Sequence, residues 1–213
     1  SAVIYDDQAN PFSLTTYGEM ARVVEKWRRL SDRAEAIGGD LPDAYQDAYF
    51  ELVLYPVKAA ANLYELREAE FTNILYAGQG RAATNDLADL AEARFAEDLA
   101  LAGHYNNAIA GGKWNGFQTQ PHIDYGDIER YGPNAPWQQP ELNNVAIPDV
   151  IFPALQRIEV PAGSEMGVAI DGSEDWWPGA ETPAVLPAFS PFQSGPAQTI
   201  EVFNRGTDSF AFC

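Results

Sequence analysis

Hydrophobic residues recur at helical spacing through the first half of the chain and predict three long helices. The apolar positions of the first helix are Tyr17, Met20, Ala21, Val24, Trp27 and Leu30. Thr16 and Glu19 are placed as a capping box before this stripe, and Gly38 with Gly39 ends it. The spacing therefore predicts a first helix that begins near Thr16 and ends at the glycine pair.

Two further helical patterns follow. The second runs from Pro42 to about Ala77 and contains Pro56, which has no backbone N–H and should kink the helix. The third runs to Ile109 and ends at Gly111-Gly112, since glycine tolerates the left-handed conformation just past a helix. Short links between long amphipathic helices favour an antiparallel bundle.

The pattern changes after Trp114. A proline-rich stretch with little periodicity is followed by short apolar segments, between glycine- and proline-rich turns, that predict strands. The predicted strands are 157–160, 166–170, 184–188, 199–203 and 210–213. We predict an α+β fold with a helical bundle over 1–112, a connecting loop over 113–154 and a partial, antiparallel, sandwich-like β domain over 155–213. Because the last strand stops as it begins, we expect the chain to be part of a longer protein.

Charge narrows the classes of partner. The formal net charge is −18, with only 13 lysines and arginines, so neither a nucleic acid nor an anionic membrane surface is an expected partner. No apolar run approaches the roughly 20 residues that span a bilayer. The acidity suits a secreted or salt-adapted protein, and we expect a secreted or periplasmic location. The single cysteine, Cys213, excludes a disulfide within the chain.

The chemistry-bearing residues form no recognisable catalytic motif. The two histidines, His104 and His122, match no zinc spacing even with Asp124 and Asp127 near the second. No serine sits in a nucleophile elbow, and among 31 acidic residues no pair stands out by spacing. We therefore predict no metal, no cofactor and no catalytic residue in this chain.

The loop after the third helix is rich in aromatic residues. They are Trp114, Phe117, Tyr125, Tyr131 and Trp137, and Trp176-Trp177 follows further along. Such rings could form flat platforms on which sugar rings stack, or they could pack the loop onto the bundle or a neighbour. Both interpretations stay open from the sequence.

Ten segments together resemble one family of enzymes. They are 52–59 (LVLYPVKA), 76–82 (YAGQGRA), 85–89 (NDLAD), 105–106 (YN), 111–114 (GGKW), 122–125 (HIDY), 137–140 (WQQP), 168–172 (VAIDG), 186–189 (LPAF) and 200–206 (IEVFNRG). With these segments the chain resembles glycoside hydrolase family 115, the xylan α-1,2-glucuronidases. The stretch from Gly126 to Pro136 is longer than expected for that family.

The resemblance implies a multidomain enzyme that removes glucuronic or 4-O-methylglucuronic acid from xylan. In that family the catalytic carboxylates lie on a preceding barrel domain, which nothing here resembles. The chain would then be a non-catalytic fragment that supports the barrel, meets glucuronoxylan only within the intact enzyme and could form a homodimer. By position in the loop, the implied substrate-binding residues are Lys113, Trp114, His122, Tyr125 and Trp137.

Two other hypotheses come from different classes of protein. The chain could be a free-standing carbohydrate-binding or adhesion module that uses its tryptophan-rich loops, or a purely structural interaction domain. A uronic acid carries a carboxylate, so the charge of −18 opposes its binding unless a cation is placed locally. Lys113, Arg130 and Arg157 are the candidates near the loop.

Overall fold

The computed structural model of the chain describes residues 10, 12–119, 123, 151, 153–182, 185–186, 188 and 198–211. The α-helices are α1 (Glu19–Gly39), α2 (Asp43–Tyr49), α3 (Tyr55–Gln79) and α4 (Thr84–Asn107). The strands are β1 (Met166–Ile170), β2 (Trp176–Trp177) and β3 (Ile200–Asn204). The predicted α+β class, with long helices followed by a small antiparallel sheet, is confirmed. None of the described helices combines the length and the apolarity needed to cross a membrane.

The chain divides into two compact units. The helical unit comprises Ser1–Pro11, Val23–Arg67 and Ala91–Ala154, and the mixed unit comprises Phe12–Arg22, Glu68–Leu90 and Leu155–Cys213. Each unit is thus assembled from three separate stretches of sequence. The predicted division at residues 112 and 154 remains a prediction, and much of 113–154 lies outside the described residues.

The start of α1 differs in detail from the predicted capping box. The Glu19 carboxylate accepts a hydrogen bond from the backbone N–H of Ser13 at 2.8 Å, and Ser13 Oγ accepts one from the N–H of Thr16. Ser13, rather than Thr16, is therefore the residue paired with Glu19, because the chain folds back before the helix begins. The predicted end at Gly39 is confirmed.

The second predicted helix is interrupted beside its proline, as expected. A π-helical turn, Phe50–Leu54, separates α2 from α3, and Pro56 is the second residue of α3. Because proline has no N–H to donate into the preceding turn, the wider π turn accommodates the missing hydrogen bond. The predicted single bent helix is therefore two helices joined by this turn.

One buried cluster of the helical unit is rich in aromatic residues. Its buried members are Tyr55, Leu101, Tyr105 and Ile109, with Phe50, Ala59 and Trp114 packed against them. The rings of Tyr55 and Tyr105 lie 4.7 Å apart between centroids. Burial, aided by the nearby Asp98 and Tyr105, raises the pKa of Tyr55 to about 12, so its phenol is neutral at ordinary pH.

The third predicted helix, α4, ends at Asn107, before the predicted glycine stop. A short 3₁₀ turn, Ile109–Gly112, follows, and Ala110, Gly111 and Gly112 all have positive φ. The N–H of Ala110 donates to Oδ2 of Asp47 at 2.8 Å. This side-chain acceptor replaces a helical carbonyl, so the helix ends a few residues early.

The sheet of the mixed unit has the order β2-β1-β3 with antiparallel pairing throughout. Val168 pairs with Trp177 on one side and with Val202 on the other. Trp176-Trp177, which lies between the predicted strands 166–170 and 184–188, is therefore itself a strand. The predicted strands at 166–170 and 199–203 are confirmed to within a residue. Those at 184–188 and 210–213 fall partly outside the described residues, and their described members form no strand.

The predicted strand at 157–160 is wrong, and asparagine side chains are the reason. The backbone of this segment bonds to two side-chain amides, one from α3 and one from α4, and not to a neighbouring strand. Asn73 accepts from the N–H of Gln156 at 2.7 Å and donates to its carbonyl at 2.9 Å. Asn85 makes the same two bonds, each 3.0 Å, with Ile158. Because Gln156 and Ile158 are two residues apart, they present their backbone groups to the same side.

We expect Asn73→Asp to lower the free energy of unfolding by about 3 kcal/mol at neutral pH. Asn73 Nδ2 also donates to the Thr84 carbonyl at 2.8 Å, so a carboxylate oxygen here would face two carbonyl oxygens. Urea denaturation followed by circular dichroism measures the change. Asn107→Asp is the matched control. Asn107 is exposed, donates to the Gly103 carbonyl and accepts from Asn115, and an aspartate keeps the acceptor, so the substitution should cost less than about 0.5 kcal/mol. Equal losses for the two variants would contradict the account.

Candidate functional site

The candidate site lies in the mixed unit and centres on Arg81, in the link between α3 and α4. Arg81 is only 4% exposed. Its guanidinium carbon lies 4.0 Å from the ring centroid of Tyr76 and 3.9 Å from that of Phe203. A planar cation held between two aromatic faces is fixed in orientation and gains cation–π attraction on both sides.

Polar partners hold the edge of the same guanidinium. Nε donates to Oε1 of Gln79 at 2.5 Å, and Nη2 donates to Oε2 of Glu201 at 2.7 Å. Gln79 is buried and donates its own amide to the Glu174 carbonyl at 2.9 Å. Within the described part of the chain no acceptor is bonded to Nη1 of Arg81. The guanidinium is therefore rigid, charge-compensated by Glu201 and still able to donate.

A second arginine, Arg205, directly follows β3 and contacts the chain between α3 and α4. Its Nε donates to the Gln79 carbonyl at 3.2 Å, and its Nη1 lies 3.3 Å from Glu165. Its guanidinium carbon lies 4.1 Å from the Trp176 ring centroid. We call residues 79–82 together with 201–205 the arginine link. The N–H of Ala82 completes it by donating to the Asn204 carbonyl at 2.9 Å.

Glycine is required at position 80 of the arginine link. Gly80 has φ +63°, and a Cβ added there would lie 3.1 Å from Nη2 of Arg205. A residue with a side chain would be strained in this conformation and would also press on the second arginine. The glycine thus lets the chain turn between α3 and α4 while Arg205 lies close against it.

A cavity of about 810 Å³ opens beside Arg81, lined entirely by residues of the mixed unit. Six hydroxyl-bearing residues line it: Thr15, Tyr17, Thr72, Tyr76, Ser173 and Thr199. Its charged lining residues are Arg22, Arg81, Asp171 and Glu201, two of each sign. Burial raises the pKa of Tyr76, although Arg81 opposes the shift, so the phenol is a neutral hydrogen-bonding group. The cavity is suited to hold a polar molecule.

The described residues provide no metal centre. Among them no three histidine, cysteine, aspartate or glutamate side chains are grouped so that they could hold an ion.

The structure describes two of the five predicted loop residues, Lys113 and Trp114, in the helical unit. Lys113 Nζ lies 4.4 Å from the Trp114 ring centroid, and Trp114 packs against the aromatic core. Trp114 Nε1 is buried and has no hydrogen-bond partner within the described residues. His122, Tyr125 and Trp137 lie outside the described residues, although Ile123 between the first two is buried. Of the two interpretations of the aromatic loop residues, packing onto the helices therefore fits Trp114.

Local sequence patterns do not identify the residues of the cavity. Arg81 lies in segment 76–82, which is significant only for the resemblance. One feature of the sequence does point to this region. The chain has only 13 lysines and arginines, yet one arginine directly follows Gly80 and another directly precedes Gly206. The partners Tyr76, Glu201 and Phe203 could not be matched to Arg81 by spacing, because the fold alone brings them together.

Comparisons with known proteins do not identify a function for the chain. No protein-family model matches the chain, and no curated protein matches it.

We expect Gly80→Ala to lower the free energy of unfolding by about 2 kcal/mol, because alanine pays a conformational penalty at this positive φ and meets Arg205. The neighbouring Gly78 lies inside α3, and no described atom would lie within 4 Å of an added Cβ. Gly78→Ala should therefore stabilise the protein by up to about 1 kcal/mol. Urea denaturation of both variants measures these changes of opposite sign, and a neutral Gly80→Ala would contradict the described turn.

Proposed function

We propose that the chain is the non-catalytic helical and β portion of a multidomain xylan α-1,2-glucuronidase of glycoside hydrolase family 115. Its role is to support a preceding catalytic barrel. One observation carries this proposal. Two of the segments that resemble the family, 76–82 and 200–206, contact each other, although the contacting residues Arg81 and Glu201 are 120 positions apart.

The contacts between these two segments are of several kinds. Arg81 of the first segment forms an ion pair with Glu201 and lies on the ring of Phe203. Arg205 of the second segment donates to the Gln79 carbonyl, and Ala82 bonds to the Asn204 carbonyl. A third resembling segment, 85–89, contributes Asn85, which binds the backbone of Ile158. Three of the resembling segments thus contribute contacts to the framework of the mixed unit, which supports a structural role.

A further resembling segment supports a protein partner. Segment 52–59 begins with Leu52, which is 72% exposed, and Val53, which is 38% exposed. Adjacent exposed apolar side chains of this kind are typical of surfaces that another protein covers. In the proposal this surface faces the barrel of the same enzyme, and a homodimer is the second use of the helical unit.

Charge also favours a supporting role over stand-alone capture of uronic acids. The net charge of −18 repels a free carboxylate. Of the cations near the predicted loop, Arg157 is bound to Asp89 at 2.7 Å, and Lys113 lies over Trp114. Glucuronoxylan would therefore be engaged by the intact enzyme, which we expect to be secreted or periplasmic.

The test compares the isolated 213-residue chain with the full-length product of its gene, by release of glucuronic acid from glucuronoxylan oligosaccharides. We expect release by the full-length protein alone. Release by the isolated chain, or by neither protein, would overturn the proposal.

A pair of variants tests the supporting role within the full-length protein. Leu52→Asp should lower its rate of release about ten-fold, because a charge would be placed in the surface that faces the barrel. Leu99→Asp is the matched control, because Leu99 is 51% exposed on α4 and belongs to none of the resembling segments. The unfolding of both variants in the isolated chain is measured in parallel. Equal effects of the two substitutions on activity would contradict the proposed surface.

A further inference from the structure

We propose that the cavity beside Arg81 is a binding site for a neutral pyranose sugar. This goes beyond the supporting role proposed above, which requires no ligand in this chain, and it does not depend on that role. The proposal rests on the size of the cavity, on the balance of its polar groups, on the state of Arg81 and on the backbone of Tyr17.

The size and lining suit a small polar molecule. A volume of about 810 Å³ lies within the range of roughly 300–1,000 Å³ typical of small-molecule sites. The hydroxyls of Thr15, Thr72, Ser173 and Thr199 can each donate and accept, as can the hydroxyl groups of a sugar. Arg81 adds its Nη1 group as a further donor, since its Nε and Nη2 are bonded to Gln79 and Glu201.

The balance of charge favours a neutral ligand. Arg22 and Arg81 are matched in number by Asp171 and Glu201. The Arg81 charge is already paired with Glu201 at 2.7 Å, so a carboxylate ligand would have to compete with that side chain. The four charged lining residues therefore carry no net positive charge that would select an anion. The chain as a whole is strongly acidic and repels anions in solution.

The side chain of Arg81 is held in one position by the protein alone, without a ligand. The side chain is 95% buried and fixed by two rings, Gln79 and Glu201. Among the described residues nothing accepts from Nη1, although Arg81 lines the cavity. A buried donor gains from an acceptor, and a sugar hydroxyl supplies one without adding charge. Little side-chain entropy remains to be lost when it binds.

Tyr17 lines the cavity and has an unusual backbone conformation. Its φ is +58°, which a bulky residue rarely adopts, and its side chain is 57% exposed. Arg22, which also lines the cavity, donates to the Tyr17 carbonyl and holds this turn. An exposed ring kept in a strained conformation is characteristic of a binding residue, and tyrosine rings are suited to stack on the apolar face of a pyranose.

The experiment is a titration of the ¹⁵N-labelled chain with methyl β-xylopyranoside, followed by the backbone amide signals. We expect saturable shifts of the signals of Thr72, Ser173 and Thr199. Glucuronate, titrated in the same way, should bind more weakly. Absence of saturable shifts at these residues, or tighter binding of glucuronate, would overturn the proposal.

A substitution at Tyr17 separates binding from folding. Tyr17→Gly removes the ring and also relieves the positive φ, so the variant should be more stable than the parent and yet bind the xyloside about five-fold more weakly. Tyr45→Ala is the control, because Tyr45 is also exposed, at 61%, but lies on α2 in the helical unit. Its affinity for the xyloside should not change. Unchanged affinity in Tyr17→Gly, or an equal loss in Tyr45→Ala, would contradict the assignment.

Discussion

The mixed unit depends on the burial of one cation. Arg81 can be buried because two aromatic rings cover its faces and Glu201 and Gln79 bind its edge. An unpaired buried charge would cost several kcal/mol, so each of these partners constrains where the others can lie. The turn at Gly80, the end of α3 and the end of β3 are all held through this group. Arg205 adds a second, parallel connection between the same two stretches of chain.

A second principle recurs in both units: asparagine side chains take the place of backbone partners. Asn73 and Asn85 each bind both backbone groups of a residue in the segment after 155. In the helical unit Asn106 does the same to Gln118, with two bonds of 2.8 Å. A side-chain amide has the same donor and acceptor as a peptide group, so it satisfies an irregular segment that no strand accompanies. These amides fix non-repetitive segments against helices.

Features that depend on local periodicity could be predicted from the sequence. The helices, the interruption at Pro56, the end of α1 and strand β1 follow from spacing, proline and glycine. The segment at 157–160 is predicted as a strand from its place between proline- and glycine-rich turns, but its partners are amides from Asn73 and Asn85, which no periodicity identifies. The cavity unites residues from Thr15 to Glu201, so its composition becomes visible only in the fold. Of the predicted loop residues, Lys113 and Trp114 are near each other because they are adjacent in sequence.

The most direct test of the buried cation is a double-mutant cycle between Arg81 and Phe203. The free energies of unfolding of the parent, Arg81→Lys, Phe203→Leu and the double variant are measured by urea denaturation. Because lysine lacks the flat guanidinium and leucine lacks the ring, each substitution removes the stacking contact. We predict a coupling energy of about 1 kcal/mol or more between the two positions. Additivity within about 0.5 kcal/mol would contradict the claim that this contact organises the mixed unit.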